Sequence, residues 1–169
     1  MLEVQCFLLI VWSSDGRAVA ERFLLSAGVN ARAMASEKKP LILVADDFGL
    51  AREVYVRLVS YAGFRAAEAS NGPEAIEKAV SLRPQMIIMD LGMPGMDGWE
   101  VIRKLKGDTR TKDCRIVVVT GAAYVEGARK AKEAGCDAYL IKPCLPETLL
   151  GVVHRLLTKT ESKSPRPRS

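Results

Sequence analysis

Asp90 closes the apolar stretch MIIMD and is followed by LGMPGMDG, a run dominated by Gly, Met and Pro. A carboxylate at the end of such a stretch neutralises unless a counter-charge or hydrogen bonds hold its charge. Other polar groups stand in the same kind of place. Asp46 and Asp47 follow LILVA, Thr120 ends RIVVVT, and Lys142 with Pro143 follows AYLI. If the fold gathers these groups, three carboxylates will repel and raise one another's pKa, and the Lys142 ammonium will offset that repulsion. The set suits the handling of charge.

The elements that would have to gather them are readable from periodicity. Strands are expected at 41–45, 65–69, 86–90, 115–120 and 138–141, several of them unbroken Val/Ile/Leu runs. Helices are expected between and after them. One runs over 50–63 with Gly63 as its stop, and one over 73–82 with Asn71 as cap and Pro73 in its first turn. A third begins at Gly98, its start bracketed by Asp97 and Glu100 as in a capping box. A fourth covers 125–135 and ends at Gly135, and a fifth covers 146–159. Strands and helices alternating in this way define an α/β fold, a doubly wound parallel sheet covered on both faces. In such sheets the functional groups collect at the carboxyl ends of the strands. Asp46, Asp47, Asp90, Thr120 and Lys142 all fall there.

The bulk composition narrows the function classes. The chain has 169 residues and a formal charge of +5, but residues 1–38 sum to zero, 39–157 to +2 and 158–169 to +3. A nearly balanced domain with a basic tail is not a nucleic-acid footprint, and no direct DNA binding is expected. Cys6, Cys114, Cys136 and Cys144 form no CxxC pair and His154 is the single histidine, so zinc spacing is absent and free thiols in a reducing cytoplasm are expected. The apolar run Cys6–Trp12 is too short for a bilayer, and Glu3 stands where a signal peptide carries basic residues. Three zones result: an N-terminal extension over 1–38, a domain over 39–158 and a disordered basic tail over 159–169. Met34 precedes ASEKKP, and translation is expected to begin there; a short docking segment is the alternative.

The segments VADD, MDLGMPGMDG, VVVTG and DAYLIKP resemble the receiver domain of two-component response regulators, in order and in spacing. Thr120 lies thirty positions after Asp90, and Lys142 another twenty-two on. The resemblance covers about residues 40–157 and implies a flavodoxin-like, five-stranded sheet in the order 2-1-3-4-5. It implies that Asp90 is the phosphoacceptor, taking a phosphoryl group from a histidine of a partner sensor kinase. It implies a Mg²⁺ ion held by Asp46, Asp47, Asp90 and the backbone carbonyl of Gly92, with Lys142 neutralising phosphoryl charge. Thr120 resembles the switch threonine, Tyr139 the aromatic that changes rotamer with it, and Lys142–Pro143 the cis peptide of the family. Phosphorylation would then alter the surface formed by the fourth helix, fifth strand and fifth helix, for a downstream protein or a phosphotransfer protein.

Two positions depart from the common pattern: Cys144 stands where a larger apolar residue is usual, and Leu145 where the last helix usually has a side-chain cap. Gly92, two after Asp90, leaves the dephosphorylation rate open. The reading is of a stand-alone cytoplasmic switch that catalyses only its own phosphorylation and dephosphorylation. The alternatives are a phosphatase-like hydrolase using Asp90, against which Gly92 counts because such enzymes need a carboxylate there, and a receiver fragment of a larger hybrid kinase.

Overall fold

The computed structural model describes residues 39–121 and 127–158. The expected extension over 1–38 and tail over 159–169 lie outside the described residues, as do Val125 and Glu126 of the fourth expected helix. Ten elements alternate along the chain: β1 (Leu41–Ala45), α1 (Gly49–Tyr61), β2 (Arg65–Ala69), α2 (Gly72–Leu82), β3 (Met86–Met89), α3 (Gly98–Gly107), β4 (Arg115–Thr120), α4 (Gly127–Ala134), β5 (Ala138–Ile141) and α5 (Pro146–Thr158). The strands form one parallel sheet in the order β2-β1-β3-β4-β5.

Side-chain alternation along each strand sorts the core into two halves. Leu43 and Ala45, Ile87 and Met89, Ile116 and Val118 point to one face, where α2, α3 and α4 supply Ala75, Ala79, Val101, Ile102, Leu105 and Ala131. Ile42 and Val44, Met86 and Ile88, Val117 and Val119 point to the other, against Tyr55 and Val59 of α1 and Leu149, Leu150 and Val153 of α5. Because both faces are covered, β1 and β3 are buried throughout, which is why they read as continuous apolar runs rather than alternating ones. The edge strands β2 and β5 are more exposed, and Glu68 and Ile141 face outward.

Local chemistry sets the helix ends. Asn71 caps α2, its side chain accepting from Glu74 N at 2.9 Å, with Pro73 in the first turn. The Glu74 carboxylate returns to Ser70 N at 2.7 Å. Gly63 (φ 91°) and Gly135 (φ 87°) follow α1 and α4 in the left-handed conformation that glycine adopts without a steric penalty. The capping box expected at α3 forms only in half. Asp97 accepts from Trp99 N at 3.1 Å, while the Glu100 carboxylate turns along the helix to Lys104 at 2.9 Å, where it gains an ion pair. Strand β3 stops at Met89, one residue before the expected end, so that Asp90 opens the loop. Leu145, before α5, is exposed, and its carbonyl accepts from Leu149 N at 3.2 Å.

The packing is tight where that loop meets α3. A Cβ added to Gly98 would fall 2.7 Å from the Leu91 backbone. Gly98→Ala is therefore expected to destabilise the domain by about 1–3 kcal/mol, read as a lower midpoint in urea. His154 packs its ring on Phe64 with centroids 5.1 Å apart, and burial holds its pKa below the usual histidine value. The folded state resists a proton that the unfolded chain accepts, so stability is full above the ordinary histidine pKa and falls as pH drops below it. Melting temperatures taken from about pH 7.5 to about 5.5 are expected to decline, and His154→Leu to flatten that slope.

Candidate functional site

Sheet hydrogen bonding carries on one residue past β1 and β3. Asp46 N donates to Ala69 O at 3.1 Å and Asp90 N donates to Ala45 O at 2.8 Å, which fixes the two aspartates on neighbouring strand ends. At the end of β4, Thr120 O accepts from Lys142 N at 2.7 Å, so Lys142 enters the same rim. The Lys142–Pro143 peptide is cis, as the sequence implied. The Lys142 ammonium lies between the aspartates: Nζ donates to Asp46 Oδ2 at 2.6 Å and to Asp90 Oδ2 at 2.7 Å.

The remaining carboxylate oxygens are held by backbone. Asp46 Oδ1 accepts from Phe48 N at 2.9 Å, and Asp90 Oδ1 accepts from Gly92 N at 3.1 Å. Asp46 is buried, Asp90 half-buried and Asp47 exposed, and one oxygen of each lies within 4.8 Å of the others. Among the described residues the Asp47 carboxylate has no ion pair.

Electrostatics separates Asp46 from Asp90. Burial pushes the Asp46 carboxyl above its ordinary pKa, and the Lys142 and Phe48 hydrogen bonds only partly offset this. Burial also opposes the charge on Asp90, but the Lys142 and Gly92 hydrogen bonds outweigh it and hold Asp90 below its ordinary value. Burial alone would lower Lys142, yet its hydrogen bonds to Asp46 and Asp90 raise it, so the ammonium is retained. The consequences for stability oppose each other. A lowered Asp90 contributes stability above its unfolded pKa that is lost on acidification, whereas a raised Asp46 contributes stability that is lost as pH rises through its folded value.

Thr120 is fully buried at this rim, and among the described residues its Oγ1 has no hydrogen-bond partner of good geometry, although it lies close enough to the Asp90 carboxylate to favour the charged form slightly. A buried hydroxyl without a partner is costly and rare. Tyr139 lies on the same face of the sheet as Thr120, half-buried against the α2–α4 half of the core. A Cβ on Gly127 would run into the Tyr139 hydroxyl. Asp46, Asp47, Asp90, Thr120, Lys142 and Tyr139 thus come to the α2–α4 side or the rim of one sheet, whereas Cys144 packs against the α1–α5 half.

The donor set fits a hard divalent cation. Three carboxylates offer oxygen ligands from two strands, and Gly92 approaches the Asp90 carboxylate closely enough that an added Cβ would lie 3.7 Å from Oδ1. Arg52 was not singled out in the sequence. Its guanidinium reaches back from α1 to the carbonyls of Asp46 at 2.7 Å and Asp47 at 3.4 Å. Its position five residues after Asp47, one turn into the helix, was the available signal. Met86, Met89, Met93, Met96 and His154 are packing residues. Cys114, Cys136 and Cys144 are free thiols, and burial raises the pKa of each, to about 12 for Cys114 and about 11 for Cys136.

Comparison with known proteins agrees with this arrangement. Residues 42–154 match the response regulator receiver domain. The chain is 38% identical over 124 residues to the nitrate/nitrite response regulator protein NarL of Escherichia coli K12, and 38% over 120 residues to the response regulator MprA of Mycobacterium tuberculosis H37Rv. Those alignments cover 72% and 71% of this chain but 56% and 51% of the relatives, so the chain spans about half the length of the curated relatives it matches. Among solved structures, the chemotaxis response regulator CheY4 of Vibrio cholerae superposes with a TM-score of 0.66 at 30% identity, covering 70% of this chain and 99% of that one. A CheY-like receiver domain protein from Methanospirillum hungatei shares the fold at a TM-score of 0.70 and 24% identity, covering 75% and 100%. The chain belongs to the response regulator receiver family and carries a receiver domain of two-component signalling.

The crowding of carboxylates makes a stability prediction. Asp47→Asn removes one of three crowded carboxylate charges, the one that has no ion pair among the described residues. In chelator its melting temperature is expected to rise by about 2–4 °C, measured by circular dichroism.

Proposed function

We propose that the domain is a phosphoryl-accepting switch, with Asp90 as the residue that takes a phosphoryl group from a histidine of a sensor kinase. The observation that carries this reading is the Lys142 ammonium, seated between the Asp46 and Asp90 carboxylates beside the unpartnered buried hydroxyl of Thr120. A structural ion pair has no use for an orphaned hydroxyl next to it. A site that receives a group with several oxygens does.

Asp46, Asp47, Asp90 and the Gly92 carbonyl would hold Mg²⁺, which when bound supplies positive charge to the phosphoryl oxygens and shields the carboxylates from one another. The chain's own residues do the rest. The Gly92 N–H and the Lys142 ammonium fix the two oxygens of Asp90, one of which attacks phosphorus as the bond to the kinase histidine breaks. Lys142 exchanges a contact with a carboxylate for one with a phosphoryl oxygen and keeps its proton, in line with its raised pKa. The Thr120 hydroxyl donates to another phosphoryl oxygen, and Tyr139 moves into the space that Thr120 leaves. The surface of α4, β5 and α5 changes with them and is read by a downstream protein or a phosphotransfer protein. In this reading the domain catalyses only its own phosphorylation and its reversal. Among the described residues no helix is long and apolar enough to cross a membrane.

Acetyl phosphate with Mg²⁺ tests the assignment directly. The parent chain is expected to gain one phosphoryl group by intact mass, and Asp90→Asn none. Labelling that persists in Asp90→Asn removes Asp90 from this role.

A further inference from the structure

The loop that carries the acidic pair is not held by its own backbone alone. Asp46 and Asp47 leave β1 and reach α1 at Gly49 with only Phe48 between, so the direction of the Asp47 carboxylate depends on how that short turn sits. Arg52 comes back over the turn from the first helical turns. Its Nη1 donates to Asp46 O at 2.7 Å and, more loosely, to Asp47 O at 3.4 Å. Its Nε pairs with Glu68 Oε2 of β2 at 3.2 Å. The guanidinium is therefore tied at one side to the neighbouring strand and at the other to the two carbonyls of the acidic pair. Its side chain is 20% exposed, and its contact with Asp46 O is partly buried, while the Glu68 carboxylate, 60% exposed, faces solvent. The Glu68 backbone carbonyl accepts from Lys78 Nζ of α2 at 2.7 Å, which ties this end of β2 to α2.

The planar fork explains why arginine serves here. One guanidinium can face a carboxylate with Nε while a terminal nitrogen spans two carbonyls; a lysine ammonium is a point charge on a flexible stem and cannot hold both sides. Each carbonyl contact holds the backbone from which the Asp46 and Asp47 side chains extend, and one carboxylate oxygen of each lies within 4.8 Å of one of Asp90. Groups that orient the ligands of a metal without touching it typically govern affinity by about 10–100-fold.

We infer that Arg52 is a positioning residue for the divalent cation site, clamping the Asp46–Asp47 backbone to β2 so that both carboxylates are presented in advance of the ion. This rests on the Mg²⁺ reading above and names a residue outside its donor set. The clamp acts through Asp46 and Asp47, and Arg52 touches neither ion nor phosphoryl group.

Calorimetric titration of the full chain with Mg²⁺ alone tests it, beside thermal melting in chelator. Arg52→Ala and Arg52→Lys are both expected to weaken Mg²⁺ binding by about 10-fold while remaining folded at the temperature of titration, and Glu68→Gln to weaken it in the same direction by less. Binding by Arg52→Lys that equals the parent's would mean that only the positive charge matters and would overturn the clamp. Unchanged binding in Arg52→Ala would overturn it too. Failure of the parent chain itself to bind Mg²⁺, or binding that survives Asp47→Asn undiminished, would instead bring down the cation site and the inference built on it.

Discussion

One ammonium group holds the rim together. Lys142 is the last residue of the described site to arrive in the chain, yet it makes the contacts that let Asp46 and Asp90 sit on adjacent strand ends. Without a cation there, a buried and a half-buried carboxylate would face each other in a medium that screens them poorly. The lysine does not treat them equally. Asp90 also receives the Gly92 amide and stays readily ionised, while Asp46, more deeply buried, is held against its preference to take a proton. A nucleophile must be charged to react, so the unequal division suits Asp90 to the role proposed for it and leaves Asp46 as its electrostatic neighbour.

The fold exists to bring these groups to one edge, and most of it could be read from residue order. Four apolar runs of strand length and the weaker RAAEA segment, separated by segments of helical spacing, leave little choice but a parallel sheet covered on both sides. The observed strand ranges differ from the expected ones only at Asp90, where one residue moves from strand to loop. That residue was hard to assign because its amide still bonds to Ala45 O as if the strand continued. The α3 start was less legible. Asp97 and Glu100 have the spacing of a reciprocal cap, but Glu100 has a lysine four residues on, and the sequence does not say which partner wins.

The site was legible because its members stand at strand ends, and strand ends converge. What the sequence could not convey were contacts made by backbone groups. The amides of Phe48 and Gly92, and the carbonyls that Arg52 grips, carry no signature in residue type. Arg52 reads as an ordinary charged helix residue until the turn before it is folded beneath its side chain. Thr120 is a different case: its identity was visible, but that its hydroxyl finds no hydrogen-bond partner among the described residues appears only in three dimensions.

The division of the core into two halves has a further consequence. Every strand feeds both halves with alternate residues, and Thr120 and Tyr139 share the side facing α2, α3 and α4. A one-residue slip of β4 or β5 would do more than exchange isoleucines and valines across the sheet. It would turn the threonine and the tyrosine toward α1 and α5, away from each other's working side. The apolar residues of these two strands thereby act as an alignment key for the two residues that the proposed switch employs.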